Sequence, residues 1–129
     1  MPHIIIDYSG TIPEDAIAGL CDVLRQTAAA LPIFPADGVR VRALRADHWS
    51  IADGAPEHGY IDISVRLREG RAQADKKAAT ETLFEAAKAH LADLIAAQPV
   101  MLSLEMRNID AELAPKLNTV RDWIKARQG

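Results

Sequence analysis

Two long stretches with helical periodicity, each lying between strand-like stretches, most limit how this chain can fold. Their apolar residues recur at steps of three and four and predict helices over about 13–31 and 73–97. Pro32 and Pro99 follow the two stretches and mark their ends. The periodic residues are Ile17, Leu20, Leu24, Ala28 and Leu31 in the first, and Leu83, Phe84, Ala87, Leu91, Leu94 and Ile95 in the second.

Four further stretches have the patterns of β-strands. The apolar run at 3–8 is typical of a buried strand, and residues 39–43, 60–68 and 100–106 alternate between the two faces of a sheet. A short piece at 48–52, before the Asp53-Gly54 turn, is expected to add a small insertion strand.

The resulting order is β-α-β, a small insertion, β-α-β and a polar tail from Asn108 with a short helix near 119–127. Each helix is long enough to connect parallel strands. We therefore predict one α+β domain over 1–129, with a four-stranded sheet and both helices on one of its faces. The opposite face would then need cover, which favours an oligomer.

Composition narrows the possible partners. The net charge of −3 does not favour nucleic acid or an anionic membrane, and the single Cys21 excludes an internal disulfide. No apolar run reaches the roughly 18 residues of a membrane helix, and the N-terminus lacks the pattern of a signal peptide, so a cytoplasmic protein is expected. The four histidines show no metal-ligand spacing, and no glycine-rich phosphate loop is present.

Pro2, directly ahead of the first strand, has two interpretations. It can begin an edge strand, where its missing N–H does no harm. Alternatively Met1 is removed, and Pro2 then supplies a free secondary amine that can accept a proton. The sequence alone leaves both open.

Arginines gather at two of the predicted strands. Arg40 and Arg42 share a face of the second strand, and Arg71 lies in the turn after the third. Charges at a solvated strand edge are the usual explanation. However, ligands of open sheets collect at strand ends, and guanidinium groups bind carboxylates in a bidentate manner. This arrangement favours a small polycarboxylate. The other arginines near these strands are Arg45, Arg66 and Arg68.

Several motifs together resemble the 5-carboxymethyl-2-hydroxymuconate isomerase family of the tautomerase superfamily, which also contains 4-oxalocrotonate tautomerase and macrophage migration inhibitory factor. The similarity extends over nearly the whole chain, although the basic ending from Arg121 departs from the family's tail. The motifs are Pro2 after Met1, IFPADGVRVR at 33–42, WSIADG at 49–54, Gly70-Arg71, LFE at 83–85 and SLE at 103–105.

The resemblance implies a homotrimeric isomerase of aromatic-compound breakdown that uses no cofactor and acts on a small carboxylated dienol. By position, Pro2 matches the family's catalytic base, and Arg40 and Arg71 match its substrate-binding arginines. Two alternatives remain open: another proline-dependent reaction (hydration, decarboxylation or dehalogenation), or a non-enzymatic binding protein on the same fold.

Overall fold

The computed structural model describes residues 1–129 and has the predicted order of strands and helices except for the insertion strand. The strands β1 to β4 and helices α1 to α4 have the bounds β1 His3–Ser9, α1 Glu14–Ala29, β2 Arg40–Ala46, β3 Gly59–Arg68, α2 Gln73–His90, α3 Ala92–Ala97, β4 Val100–Ile109 and α4 Val120–Gln128. No helix is long and apolar enough to span a bilayer.

The four strands form one mixed sheet in the order β2-β1-β3-β4. Within each half the two strands are parallel, because each helix returns the chain to the same end of the sheet. The halves meet through the antiparallel pair β1 and β3. The predicted α+β class and four-stranded sheet are therefore confirmed.

The core lies between the sheet and its two long helices. Ile4 and Ile6 of β1 and alternate residues of β3 are fully buried, opposite Leu20 and Leu24 of α1. Each such side chain stabilises the fold by roughly 1.5–3 kcal/mol relative to an exposed one. Strict alternation of buried and half-buried residues along β3 fixes which of its side chains face away from the core.

The other face of the sheet is polar and has no helix over it. Tyr60 donates a hydrogen bond to Asp7 (2.7 Å), and Ser103 donates one to Asp62 (2.7 Å). This open face was predicted from the alternation of the strands. It provides a surface on which charged side chains from all four strands can meet.

The prediction of an insertion strand at 48–52 is wrong, because residues 47–58 form a loop. The N–H of Gly54 bonds to the carbonyl of Ile51 (2.8 Å), and Ala52 and Gly54 both have positive φ angles of 51° and 85°. A tight turn at 51–54 therefore takes the place of the expected strand, which has no neighbouring strand to pair with. The second predicted helix is also divided, since α2 ends at His90 and α3 begins at Ala92.

The tail after β4 folds back and contacts the loop before β2. It makes a short 3-10 turn at Ala111–Leu113 and then the predicted C-terminal helix, α4. The Arg121 guanidinium pairs with both oxygens of Asp37, at 2.7 and 3.3 Å. This contact fixes where the segment between β4 and α4 must run.

Candidate active site

Pro2 is fully buried immediately before β1, next to the loop that leads into β2. A Cβ placed on Gly38 of that loop would lie 3.4 Å from Met1 Cγ and 3.5 Å from Pro2 Cδ. The backbone of the loop therefore runs close against the first two residues. Pro2 is held between this loop and the start of the sheet.

A cavity of about 290 Å³ adjoins Met1 and is lined by four cationic side chains and no carboxylate. The cations come from three places in the chain: Arg40 from β2, Arg66 and Arg68 from β3, and Lys116 from the tail. Opposite charges favour binding in a partly enclosed site, so this cavity suits a small anion with several negative charges.

A second cavity of about 190 Å³ lies beside the first. Met1, Arg40 and Leu117 line both of them. Pro2 lines neither while Met1 is in place. Met1 therefore stands at the boundary between the two spaces, and its side chain takes up room next to the cations.

A row of basic residues crosses the open face at one level of the sheet. His3 is paired in register with Arg40 on one side and Arg66 on the other, and Arg66 is paired with Arg107. Nε2 of His3 accepts a hydrogen bond from Arg40 Nη2 at 2.6 Å. The Nδ1 atom then carries the ring proton, and it is buried without a hydrogen-bond partner.

The electrostatics of this row keep His3 neutral at neutral pH. Burial, followed by the charges of Arg40 and Arg66, lowers the pKa of His3 to about 4. A neutral imidazole accepts the Arg40 hydrogen bond and holds one end of that guanidinium. The pKa of Arg40 is also lowered, first by burial and then by the neighbouring arginines.

Arg68 joins the end of β3 to the tail. Its Nη1 donates to the carbonyl of Ala114 (3.1 Å) and its Nη2 to the carbonyl of Ala111 (3.2 Å). Arg71, in the turn beyond, donates from Nη1 to the carbonyl of Arg68 (2.9 Å). Arg71 does not line the cavity, so it lies at the edge of the site.

An amine at the start of the chain experiences four nearby positive charges. The pKa of the Met1 α-amino group is lowered below its ordinary value by burial first, and then by Lys116, Arg68, Arg40 and Arg71. An amine with a lowered pKa is populated as a neutral base nearer to neutral pH. The site thus combines a position for a weakly basic amine with a cavity for an anion.

The sequence predicted some of the residues around this cavity. In the structure Arg40 lines the cavity, Pro2 lies next to Met1, which also lines it, and Arg71 lies nearby but outside it. It adds Arg66 and Arg68, which were noted only as strand arginines, and Lys116, which was missed. Lys116 carries no local signal, because its position depends on contacts between the tail and residues about eighty positions earlier.

The chain is similar in sequence to known proteins. A family model described as 5-carboxymethyl-2-hydroxymuconate isomerase matches residues 2–124. A 5-carboxymethyl-2-hydroxymuconate Delta-isomerase from Escherichia coli is 34% identical over 126 residues, covering 97% of this chain and 100% of that protein.

Solved structures agree. The crystal structure of a 5-carboxymethyl-2-hydroxymuconate isomerase from Deinococcus radiodurans R1 has a TM-score of 0.88 at 29% identity, covering 95% of this chain and 93% of that one. A fused 4-OT wild-type symmetric trimer shares the fold, with a TM-score of 0.66 at 21% identity over 90% of this chain and 92% of that one.

Proposed function

This chain belongs to the 5-carboxymethyl-2-hydroxymuconate isomerase family, and from that premise we propose that it converts 5-carboxymethyl-2-hydroxymuconate to its 2-oxo isomer. The observation that carries the proposal is a buried proline at position 2 next to a cationic cavity. The substrate's name describes a muconate, with two carboxylates, that bears a third on a carboxymethyl group. A cavity lined by four cations suits such a trianion.

Pro2 is the base in this proposal. After removal of Met1, its secondary amine takes the proton from the 2-hydroxyl group. The electrons shift through the diene, and the same proton is returned to a distal carbon. One base that reaches both atoms is sufficient, and a positioned general base typically contributes about 10²–10⁴-fold to the rate. No step requires a cofactor.

Removal of Met1 also changes the space around Pro2. Met1 lines both cavities, so its loss would join them and uncover the nitrogen of Pro2. Burial and the surrounding cations that lower the pKa of the Met1 amine would act in the same direction on a Pro2 amine. A neutral base would therefore be populated near neutral pH, where a free secondary amine is ordinarily protonated.

Arg40 and Arg71 are the proposed substrate-binding residues. Arg40 lines both cavities, and its hydrogen bond to His3 fixes one side of its guanidinium while donors remain for a carboxylate. Arg71 uses one nitrogen on the carbonyl of Arg68 and keeps the others free. We propose that it binds a second carboxylate at the edge of the site.

The proposed assembly is a homotrimer. Large apolar side chains remain exposed on the single chain, among them Leu44 (56%) and Met101 (57%), which lie on strands at the two edges of the sheet. A contact with a neighbouring copy would cover them. The trimeric relative of the same fold supports this stoichiometry.

The test is the ketonisation rate of homogeneous processed protein against protein that retains Met1, each verified by intact mass. We expect turnover only in the processed form, because an amide nitrogen cannot take the proton. Pro2→Ala, processed to a primary amine, should be slower than the wild type but active. Equal rates with and without Met1 would remove Pro2 as the base, and an inactive processed wild type would remove this substrate.

A further inference from the structure

Lys116 is the one cation of the cavity that the tail supplies. Its side chain is exposed and makes no hydrogen bond or salt bridge to another residue. Among the charged side chains around the Met1 amine, it has the largest effect on that group. Its ammonium group therefore lies near the reacting end of the proposed site and is free to bind a ligand.

The tail is fixed on both sides of Lys116. Before it, Arg68 donates to the carbonyls of Ala111 and Ala114. After it, Asn118 Nδ2 donates to the carbonyl of Asp37 (3.0 Å), and Arg121 pairs with the Asp37 carboxylate. A segment anchored at both ends presents its side chain at a reproducible position, which lowers the entropic cost of using it to bind.

The proposed substrate has one carboxylate more than the two proposed binding arginines can pair with. Arg40 and Arg71 account for the two carboxylates of a muconate, and the third carboxylate of the substrate has no partner among them. Arg68 is already committed to two carbonyls. Arg66 lies within the row of the open face, between His3 and Arg107 in register. Arg40 lies in that row as well and is already assigned a carboxylate. Lys116 is the one cation of the cavity that lies outside the sheet, and it makes no hydrogen bond.

We propose that Lys116 binds the carboxylate of the substrate's carboxymethyl group and so sets the preference for a tricarboxylate over a dicarboxylate. Arg68 is then a positioning residue that holds the segment carrying Lys116. The inference rests on the proposed function for the identity of the substrate. Its test includes a binding measurement that does not require turnover.

The kinetic test compares Lys116→Gln with the wild type on 5-carboxymethyl-2-hydroxymuconate and on 2-hydroxymuconate, which lacks the carboxymethyl group. We expect KM to rise about 10- to 100-fold for the first substrate, the loss of one charge-assisted contact, with little change for the second. Lys116→Arg should restore most of the difference. The control is Lys88→Gln, whose lysine lies on α2 beside Glu85. An equal change for both substrates would overturn the proposal.

The binding test uses tricarballylate and glutarate as unreactive tricarboxylate and dicarboxylate probes, measured by calorimetry on processed protein. The wild type should bind tricarballylate more tightly, and Lys116→Gln should remove that difference. If the wild type shows no turnover but this pattern holds, the proposed reaction fails and the Lys116 subsite stands. An unchanged ratio of the two affinities in Lys116→Gln removes the subsite even if the enzyme is active.

The role of Arg68 has its own readout. Arg68→Lys keeps the positive charge but cannot reach both carbonyls in the fork geometry of a guanidinium. Amide hydrogen exchange across 111–119 should become faster, and KM should rise for the tricarboxylate more than for the dicarboxylate. Unchanged exchange with an unchanged KM ratio would show that Arg68 does not position Lys116.

Discussion

His3 should make the protein less stable at acidic pH, by an amount that can be estimated from its environment. Its ordinary pKa is 6.5, and the folded chain lowers it to about 4 through burial and the charges of Arg40 and Arg66. Above pH 6.5 the imidazole is neutral in both the folded and the unfolded state and contributes nothing. As the pH falls from 6.5 toward 4, the unfolded chain binds a proton that the folded chain does not, so stability decreases.

The size of the effect follows from the separation of the two pKa values. About 2.5 pH units correspond to a ceiling of about 3.4 kcal/mol, at 1.36 kcal/mol per unit. His3 is only half-buried, so solvent screening reduces the expected loss to about 1–2 kcal/mol at pH 4.5. His3→Gln removes the titration and keeps an oxygen that can accept the hydrogen bond of Arg40.

The assay is urea unfolding at pH 7.5 and pH 4.5, at one fixed protein concentration because an oligomer unfolds with concentration dependence. The free energy of unfolding should fall by about 1–2 kcal/mol more in the wild type than in His3→Gln. His48→Gln, at an exposed position in the loop after β2, should behave as the wild type. The same acid loss in His3→Gln and the wild type would refute the reasoning.

Three further outcomes are expected. Arg71→Ala should raise KM more than it lowers kcat, through loss of a contact worth roughly 1.5–3 kcal/mol, and an unchanged kcat/KM would place Arg71 outside the site. Light scattering should give a trimer, and a mass near 14 kDa on dilution to low micromolar concentration would contradict it. Gly59→Ala should lower the free energy of unfolding by about 1–3 kcal/mol, because the added Cβ would lie 2.6 Å from Thr11 Oγ1. Thermal unfolding measures this with Gly129→Ala as the control, and an unchanged Tm for Gly59→Ala would contradict the clash.

Local pattern predicted the elements of this fold well. Periodicity along 60–68 identified which side chains of β3 face the core, because a half-buried strand alternates strictly. The insertion at 48–52 was misread, since a short apolar piece resembles a strand unless its pairing partner is known. A positive φ at Ala52, an ordinary residue for a strand or a helix, has no signature in the sequence.

Site residues could be predicted from the sequence only where they lie in a recognisable motif. Pro2 and Arg40 were noted from the sequence itself, and a family resemblance supplied their expected roles. His3 is neutral because it is partly buried and lies between two arginines on adjacent strands, and neither condition is known without the register of the sheet. Lys116 reaches the cavity because the tail folds back onto residues far away in sequence. The periodicities of strands and helices do not predict such a contact.

Arg68 binds the tail through the carbonyls of Ala111 and Ala114 and not through their side chains. Every amino acid offers the same carbonyl, so these positions can change identity without losing the anchor. The segment that carries Lys116 is therefore open to sequence variation at little cost to stability. For an engineer who wishes to alter which carboxylated dienols the protein accepts, the stretch from Ala111 to Leu117 is the place to randomise first, while the four-stranded sheet and Pro2 are left untouched.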